Sequence, residues 1–177
     1  IPIFSICEEK ELTYYTMPYV EGETLKQILK EAKTSDQKWG ISALMRIFMN
    51  VCQAIAYAHS KGILHRDIKP ENIIVGTFGE VLILDWGLAI EKGQKEEILE
   101  EIPGHHELTR PGKIVGTLAY LAPERARNEP ASEQTDLYSL GVILYQILTL
   151  RLPFKRTDIE TFQKMWPYEE LLDPIEA

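Results

Sequence analysis

The stretch HRDIKPENIIV, residues 65–75, sets a histidine, an aspartate, a lysine and an asparagine ahead of an apolar run. Shortly after it, LILDWGLA carries a second isolated aspartate, Asp85, behind apolar residues. Asn72 and Asp85 offer one neutral and one anionic oxygen donor, the kind of set a hard cation takes. Mg²⁺ uses one or two carboxylates and leaves its other positions to water and phosphate. Lys69 adds a mobile point charge for a phosphate oxygen. Asp67 is left to orient or deprotonate a hydroxyl, a task a weak, ionised base can perform where positioning and charge neutralisation dominate. The chemistry such a set supports is magnesium-assisted phosphoryl transfer. Taken singly, each residue is an ordinary cap or solvated loop polar. Four in this order, beside hydrophobic strands, form a candidate site.

Positioning them requires the chain to turn back. IIV and EVLIL read as two short strands joined by GTFG, so a hairpin returns Asp85 towards the loop that holds Asp67. Upstream, PIFSIC and LTYYTM read as two strands split by a charged turn. PYVEGE is a connector punctuated by Pro18 and Gly22. TLKQILKEAK predicts a helix with Thr24 as N-cap. A second helix is expected from about Ser42 to Ser60, with Leu44, Ile47, Phe48, Val51, Cys52 and Ile55 on one face and Lys61-Gly62 as its stop. Residues 91–116 form a long polar loop, its first half acidic, of a length that compact domains keep for function. DLYSLGVILYQILTL is apolar almost all round and predicts a helix buried at the centre of a domain. The order implies an α+β fold, mostly helical, with a small sheet at the start.

Bulk properties agree with one globular domain. The chain has 177 residues, 45% hydrophobic and 26% charged, with a formal charge of -8. That balance argues against a nucleic-acid or anionic-membrane binder, which would show a clustered basic face. No uninterrupted apolar run reaches a membrane span, and no signal peptide is visible. Cys7 and Cys52 form no disulfide framework or metal pattern and read as buried free thiols in a reducing compartment.

HRDIKPEN, DWG, GTLAYLAPE and DLYSLGVILYQILT together resemble the eukaryotic-type (Hanks-type) serine/threonine protein kinases, with wording closest to bacterial members. The resemblance covers nearly the whole chain. It implies a protein-kinase fold in which 1–17 ends the sheet of the N-terminal lobe, 18–23 is the hinge and 24–177 is an incomplete C-terminal lobe. By resemblance, Asp67 is the catalytic aspartate and Lys69 contacts the transferring phosphate. Asn72 and Asp85 hold Mg²⁺, with Mn²⁺ as an alternative. Met17 is the gatekeeper behind the adenine of ATP, Pro18 offers a hinge carbonyl, Val20 a hinge N–H, and Ile74 lies beneath the ring. His65 and Trp86 join an internal hydrophobic column. Trp86 stands where the family usually has Phe, and its indole N–H needs a partner if buried. Thr117 bonds the catalytic Asp and Lys, Glu124 closes the APE motif, and Asp136 pins the backbone of the catalytic loop. Arg66 pairs with a phosphorylated activation loop, for which Thr109 is the candidate phosphosite.

No glycine-rich loop, strand lysine or partner glutamate precedes these motifs. The segment therefore reads as a truncated kinase domain, inactive alone, from a parent that phosphorylates protein Ser/Thr hydroxyls in the cytoplasm or from a cytoplasmic domain of a membrane-attached protein. Dimerisation through the missing lobe is allowed. Two other readings compete. A pseudokinase scaffold is disfavoured by intact Asp67, Asn72 and Asp85. A small-molecule phosphotransferase of related fold would lack the APE segment and the long loop.

Overall fold

The computed structural model describes residues 4–9, 12–34, 38–93, 118–154, 156, 158 and 162–164. Thr109, Thr117 and the acidic run 96–101 lie outside them.

Strands β1 (Ser5–Glu9) and β2 (Leu12–Thr16) pair antiparallel, with Cys7 opposite Tyr14. They form a two-stranded sheet of their own. The connector then contributes a strand the sequence did not signal, β3 (Glu23–Thr24), which pairs with Val75 and Ile74. Gly22 makes this approach feasible: its φ is +154°, and a Cβ there would lie 2.4 Å from the Val75 carbonyl oxygen. Helix α1 (Leu25–Thr34) follows at once. Its start is the expected Thr24 cap, which accepts from the Gln27 N–H at 3.2 Å, while Gln27 Oε1 accepts from the Thr24 N–H at 2.7 Å.

Helix α2 (Ile41–Ser60) buries Leu44, Ile47, Phe48, Val51, Ile55 and Ala58. Each fully buried Leu, Ile or Val contributes roughly 1.5–3 kcal/mol. Cys52 sits at the margin of that stripe, so both free cysteines are half-buried rather than buried. Burial still pushes the Cys52 thiol pKa up. By length and composition alone α2 could cross a membrane, but its apolar stripe belongs to the core cluster. Gly62, at φ +74°, ends it as expected.

Strands β4 (Ile63–Leu64) and β7 (Ile90–Glu91) pair antiparallel. Between them lies the predicted hairpin, β5 (Ile73–Val75) and β6 (Val81–Ile83), with Ile74 opposite Leu82. The β4–β7 pair was not signalled, because two-residue strands carry no alternation. A short helix, α3 (Pro123–Ala126), has proline in its first turn. Helix α4 (Glu133–Thr149) packs Leu140, Val142, Ile143 and Ile147 into the same core as α1, α2 and the hairpin.

The expectation that α4 is buried all round is corrected. Leu137 and Leu148 are 55% and 56% exposed, and Gly141 between them is exposed too. Residues eleven apart on a helix share a face. The described elements pack against the opposite side.

Candidate active site

The 65–72 loop runs from β4 to β5, and its shape is set from beneath by α4. Asp136, 1% exposed in the first turn of α4, accepts from two successive backbone N–H groups. Its Oδ2 takes the His65 N–H at 2.9 Å and its Oδ1 the Arg66 N–H at 2.9 Å. His59 Nε2 meets Oδ2 at 2.8 Å. These bonds hold Arg66 at φ +70°, a left-handed conformation that costs roughly 1–2 kcal/mol for a residue with a Cβ. The kink turns the next residue, Asp67, to the front of the loop. The structure thus gives Asp136 the position expected of it. His59 was not anticipated, because nothing in the sequence links it to a residue 77 positions on.

Asp67 Oδ2 receives two donors, Lys69 Nζ at 2.6 Å and Asn72 Nδ2 at 3.0 Å. Asn72 Nδ2 also donates to the Asp67 carbonyl at 2.8 Å. Three predicted site residues therefore meet on one carboxylate oxygen. Asp67 Oδ1 makes no hydrogen bond to a described residue, and Asn72 turns its amide nitrogen inward, leaving its Oδ1 as an oxygen donor. A one-turn 3₁₀ helix, Pro70–Asn72, carries Asn72 to this point; it starts with Pro, whose missing N–H is not needed there.

The hairpin brings the second aspartate alongside. The Leu84 N–H donates to the Asn72 carbonyl at 2.7 Å, and His65 Nε2 donates to the Leu84 carbonyl at 3.1 Å. Asp85 follows, with φ +59° and an exposed side chain. Its carboxylate makes no hydrogen bond to a described residue. A carbonyl only accepts, so His65 carries its proton on Nε2. Its Nδ1 then accepts the Asp67 N–H at 3.3 Å. Burial pushes the His65 pKa down, consistent with a neutral ring. Trp86 lies edge-on to His65, ring centroids 4.5 Å apart, and its indole N–H donates to the Ile83 carbonyl at 2.9 Å. That bond is the partner the indole required.

Of the connector residues, Met17 is 38% exposed and Pro18 and Val20 are half-buried. The Val20 N–H bonds to no described residue. Ile74, on β5, is half-buried beneath Gly22. Arg66 Nε donates to the Leu88 carbonyl. Glu124 lies in the first turn of α3. A cavity opens between the loop and the segment before α3, lined by Arg66, Asp67, Ile68, Tyr120, Leu121 and Arg125 among others.

No group of three or more His, Cys, Asp or Glu side chains suited to a metal occurs among the described residues. One carboxylate and one amide oxygen do not make a dedicated cage. They do suit a cation that arrives on a phosphate-bearing ligand and keeps most of its shell from phosphate and water.

Residues 1–172 match the family model described as the protein kinase domain. The chain is 53% identical to the serine/threonine-protein kinase PknD of Protochlamydia amoebophila, over 100% of the chain and 20% of that protein. It is 50% identical to PknD of Chlamydia abortus, over 88% of the chain and 18% of the relative. To PknD of Chlamydia trachomatis serovar D the identity is 44%, over 99% and 20%. The chain thus spans about a fifth of the length of the relatives it matches.

Proposed function

This chain belongs to the protein kinase domain family, and on that premise we propose that the full-length protein transfers the γ-phosphate of ATP to serine or threonine hydroxyls of other proteins. The observation that carries the reading is the convergence of Lys69 and Asn72 on one oxygen of Asp67, with Asp85 next in the chain to Leu84, whose N–H bonds the Asn72 carbonyl. Proteins of this family use ATP and Mg²⁺. Here Asp85 and the Asn72 side-chain oxygen would hold the cation, which when bound neutralises charge on the phosphates.

The chain's own residues do the rest. Asp67 Oδ1 accepts the hydrogen bond of the incoming hydroxyl and takes its proton as the oxygen attacks the γ-phosphorus, while the bond from that phosphorus to the bridging oxygen breaks and ADP leaves. Asn72 and Lys69 keep the Asp67 carboxylate from rotating. Lys69 exchanges part of its contact with Asp67 for an oxygen of the transferring phosphate, a move its flexible stem allows. The Val20 N–H and the Pro18 carbonyl, which bond to no described residue, bond the adenine edge in this reading, with Met17 behind it and Ile74 beneath. Glu124 anchors the end of the substrate-facing segment. In this reading Arg66 receives a phosphate on Thr109, the candidate phosphosite, which lies outside the described residues. The free thiols of Cys7 and Cys52 support a cytoplasmic setting.

The test is transfer of labelled γ-phosphate from Mg·ATP by the full-length protein beside its Asp67→Asn variant. Loss of the base should lower transfer by roughly 100- to 10,000-fold, with ATP binding retained and wild-type label at Thr109. Equal labelling would remove Asp67 from the reaction. No labelling in either, with ATP still bound, would favour a scaffold.

A further inference from the structure

The wall of the cavity that faces Asp67 is built from a segment with little regular structure of its own. Residues 118–121 belong to no sheet, and apart from a long bond from the Leu121 N–H to the Leu118 carbonyl at 3.3 Å, side chains from outside the segment hold its carbonyls. Ser139 Oγ, from α4, donates to the Tyr120 carbonyl at 2.8 Å. The carbonyls of Leu118 and Leu121 are taken by one side chain, Arg156, from beyond the end of α4. Its Nη1 lies 3.1 Å from the first and 2.8 Å from the second. Its Nη2 donates to the Tyr138 hydroxyl at 2.6 Å.

Arg156 is 5% exposed, an uncommon setting for a cation. Aromatic faces surround it: the guanidinium carbon lies 3.6 Å from the Phe162 ring centroid and 4.6 Å from that of Phe154. Stacking of this kind offsets part of the lost hydration. While stacked, the planar guanidinium serves both carbonyls through Nη1 and the Tyr138 hydroxyl through Nη2; a compact ammonium offers neither the second nitrogen nor the stacking plane.

Building on the kinase reading above, we propose that Arg156 is a positioning residue for the protein substrate. It fixes the 118–121 segment, and with it Tyr120 and Leu121, at the distance from Asp67 that presents the acceptor hydroxyl in line. It touches neither the nucleotide nor the reacting atoms. Its loss loosens the substrate wall and leaves the nucleotide side intact.

The experiment uses the full-length protein with Arg156→Met and Arg156→Lys. The acceptor is a degenerate peptide library with one central serine or threonine. Three quantities are read: kcat/KM for peptide phosphorylation, ATP hydrolysis without acceptor, and amide hydrogen exchange over residues 118–122. A small misplacement of reacting groups costs up to roughly 100-fold in rate. Arg156→Met should lower kcat/KM for the peptide on that order, keep acceptor-free hydrolysis within about twofold, and speed exchange in the segment. Arg156→Lys keeps the charge but loses the stacked plane and the Nη2 bond to Tyr138, and should recover only a minor part of the loss. Peptide and hydrolysis rates falling in proportion, neither falling, or full recovery by lysine would each overturn the proposal. A wild-type protein that labels no Ser or Thr would overturn the kinase reading and the substrate role with it. Unchanged exchange in Arg156→Met would separately refute the hold on the segment.

Discussion

Asp136→Ala should cost the protein both stability and the shape of its site. The carboxylate accepts three hydrogen bonds, from the His65 and Arg66 backbones and from His59, at 2.8 to 2.9 Å. Bonds to a charged group contribute about 1.5–3 kcal/mol each, or roughly 5–9 kcal/mol together. Burying the carboxylate offsets several kcal/mol of that, and the two backbone N–H groups left without a partner cost about 1–3 kcal/mol each. Relaxation of Arg66 out of its left-handed conformation returns roughly 1–2 kcal/mol, so a loss of about 3 kcal/mol is expected. The relaxation is also what damages function, because the kink at Arg66 aims Asp67. Urea unfolding of the full-length protein and its Asp136→Ala and Asp136→Asn variants, followed through the kinase-domain transition, measures the first effect. Asn keeps one acceptor oxygen and should fall between wild type and Ala. Phosphate transfer by the folded variants measures the second. A loss below about 1 kcal/mol, or full transfer by Asp136→Ala, would refute the claim that α4 shapes the loop.

Gly22→Ala places a Cβ 2.4 Å from the Val75 oxygen and 2.8 Å from Ile74 Cγ2; a stability loss of about 2 kcal/mol or more and weaker nucleotide binding are expected, read by thermal unfolding and nucleotide titration. Trp86→Phe removes the indole bond to Ile83; a loss of about 1 kcal/mol is expected by chemical denaturation, and an unchanged midpoint would show that bond to be idle. His65 has its pKa lowered by burial, below the roughly 6.5 of an unfolded histidine. Its contribution is therefore fully present above pH 6.5 and is lost as pH falls below it, where the unfolded chain takes up a proton and the folded ring does not. Imidazole NMR shifts should show a mainly neutral, Nε2-protonated ring at pH 6.5, and a ring half-protonated at pH 6.5 or above would contradict this.

Much of the molecule is legible in residue order. The two long helices declare themselves by apolar spacing, and the hairpin by its strands and the glycines of GTFG. What escaped were elements with too little chain to carry a period: β3, β4 and β7 are two residues each and exist because partners elsewhere supply their hydrogen bonds. The half-exposed face of α4 also escaped, since an all-apolar helix does not say which neighbours cover it. Arg156 is silent in the sequence for a similar reason. An arginine in a polar tail gives no hint of aromatic burial until Phe154, Phe162 and Tyr138 close round it.

By itself the sequence determined the chemistry: an aspartate, a lysine, an asparagine and a second aspartate at spacings suited to a phosphate and a hard cation. Residue type and local spacing are written in the chain directly. The tertiary structure decided which atoms meet. Asp67 offers Oδ1 because Lys69 and Asn72 both occupy Oδ2, and it faces forward because Asp136, 69 residues on, holds Arg66 in a left-handed turn. Such choices depend on hydrogen bonds between segments far apart in the chain, and these form only once the core has packed.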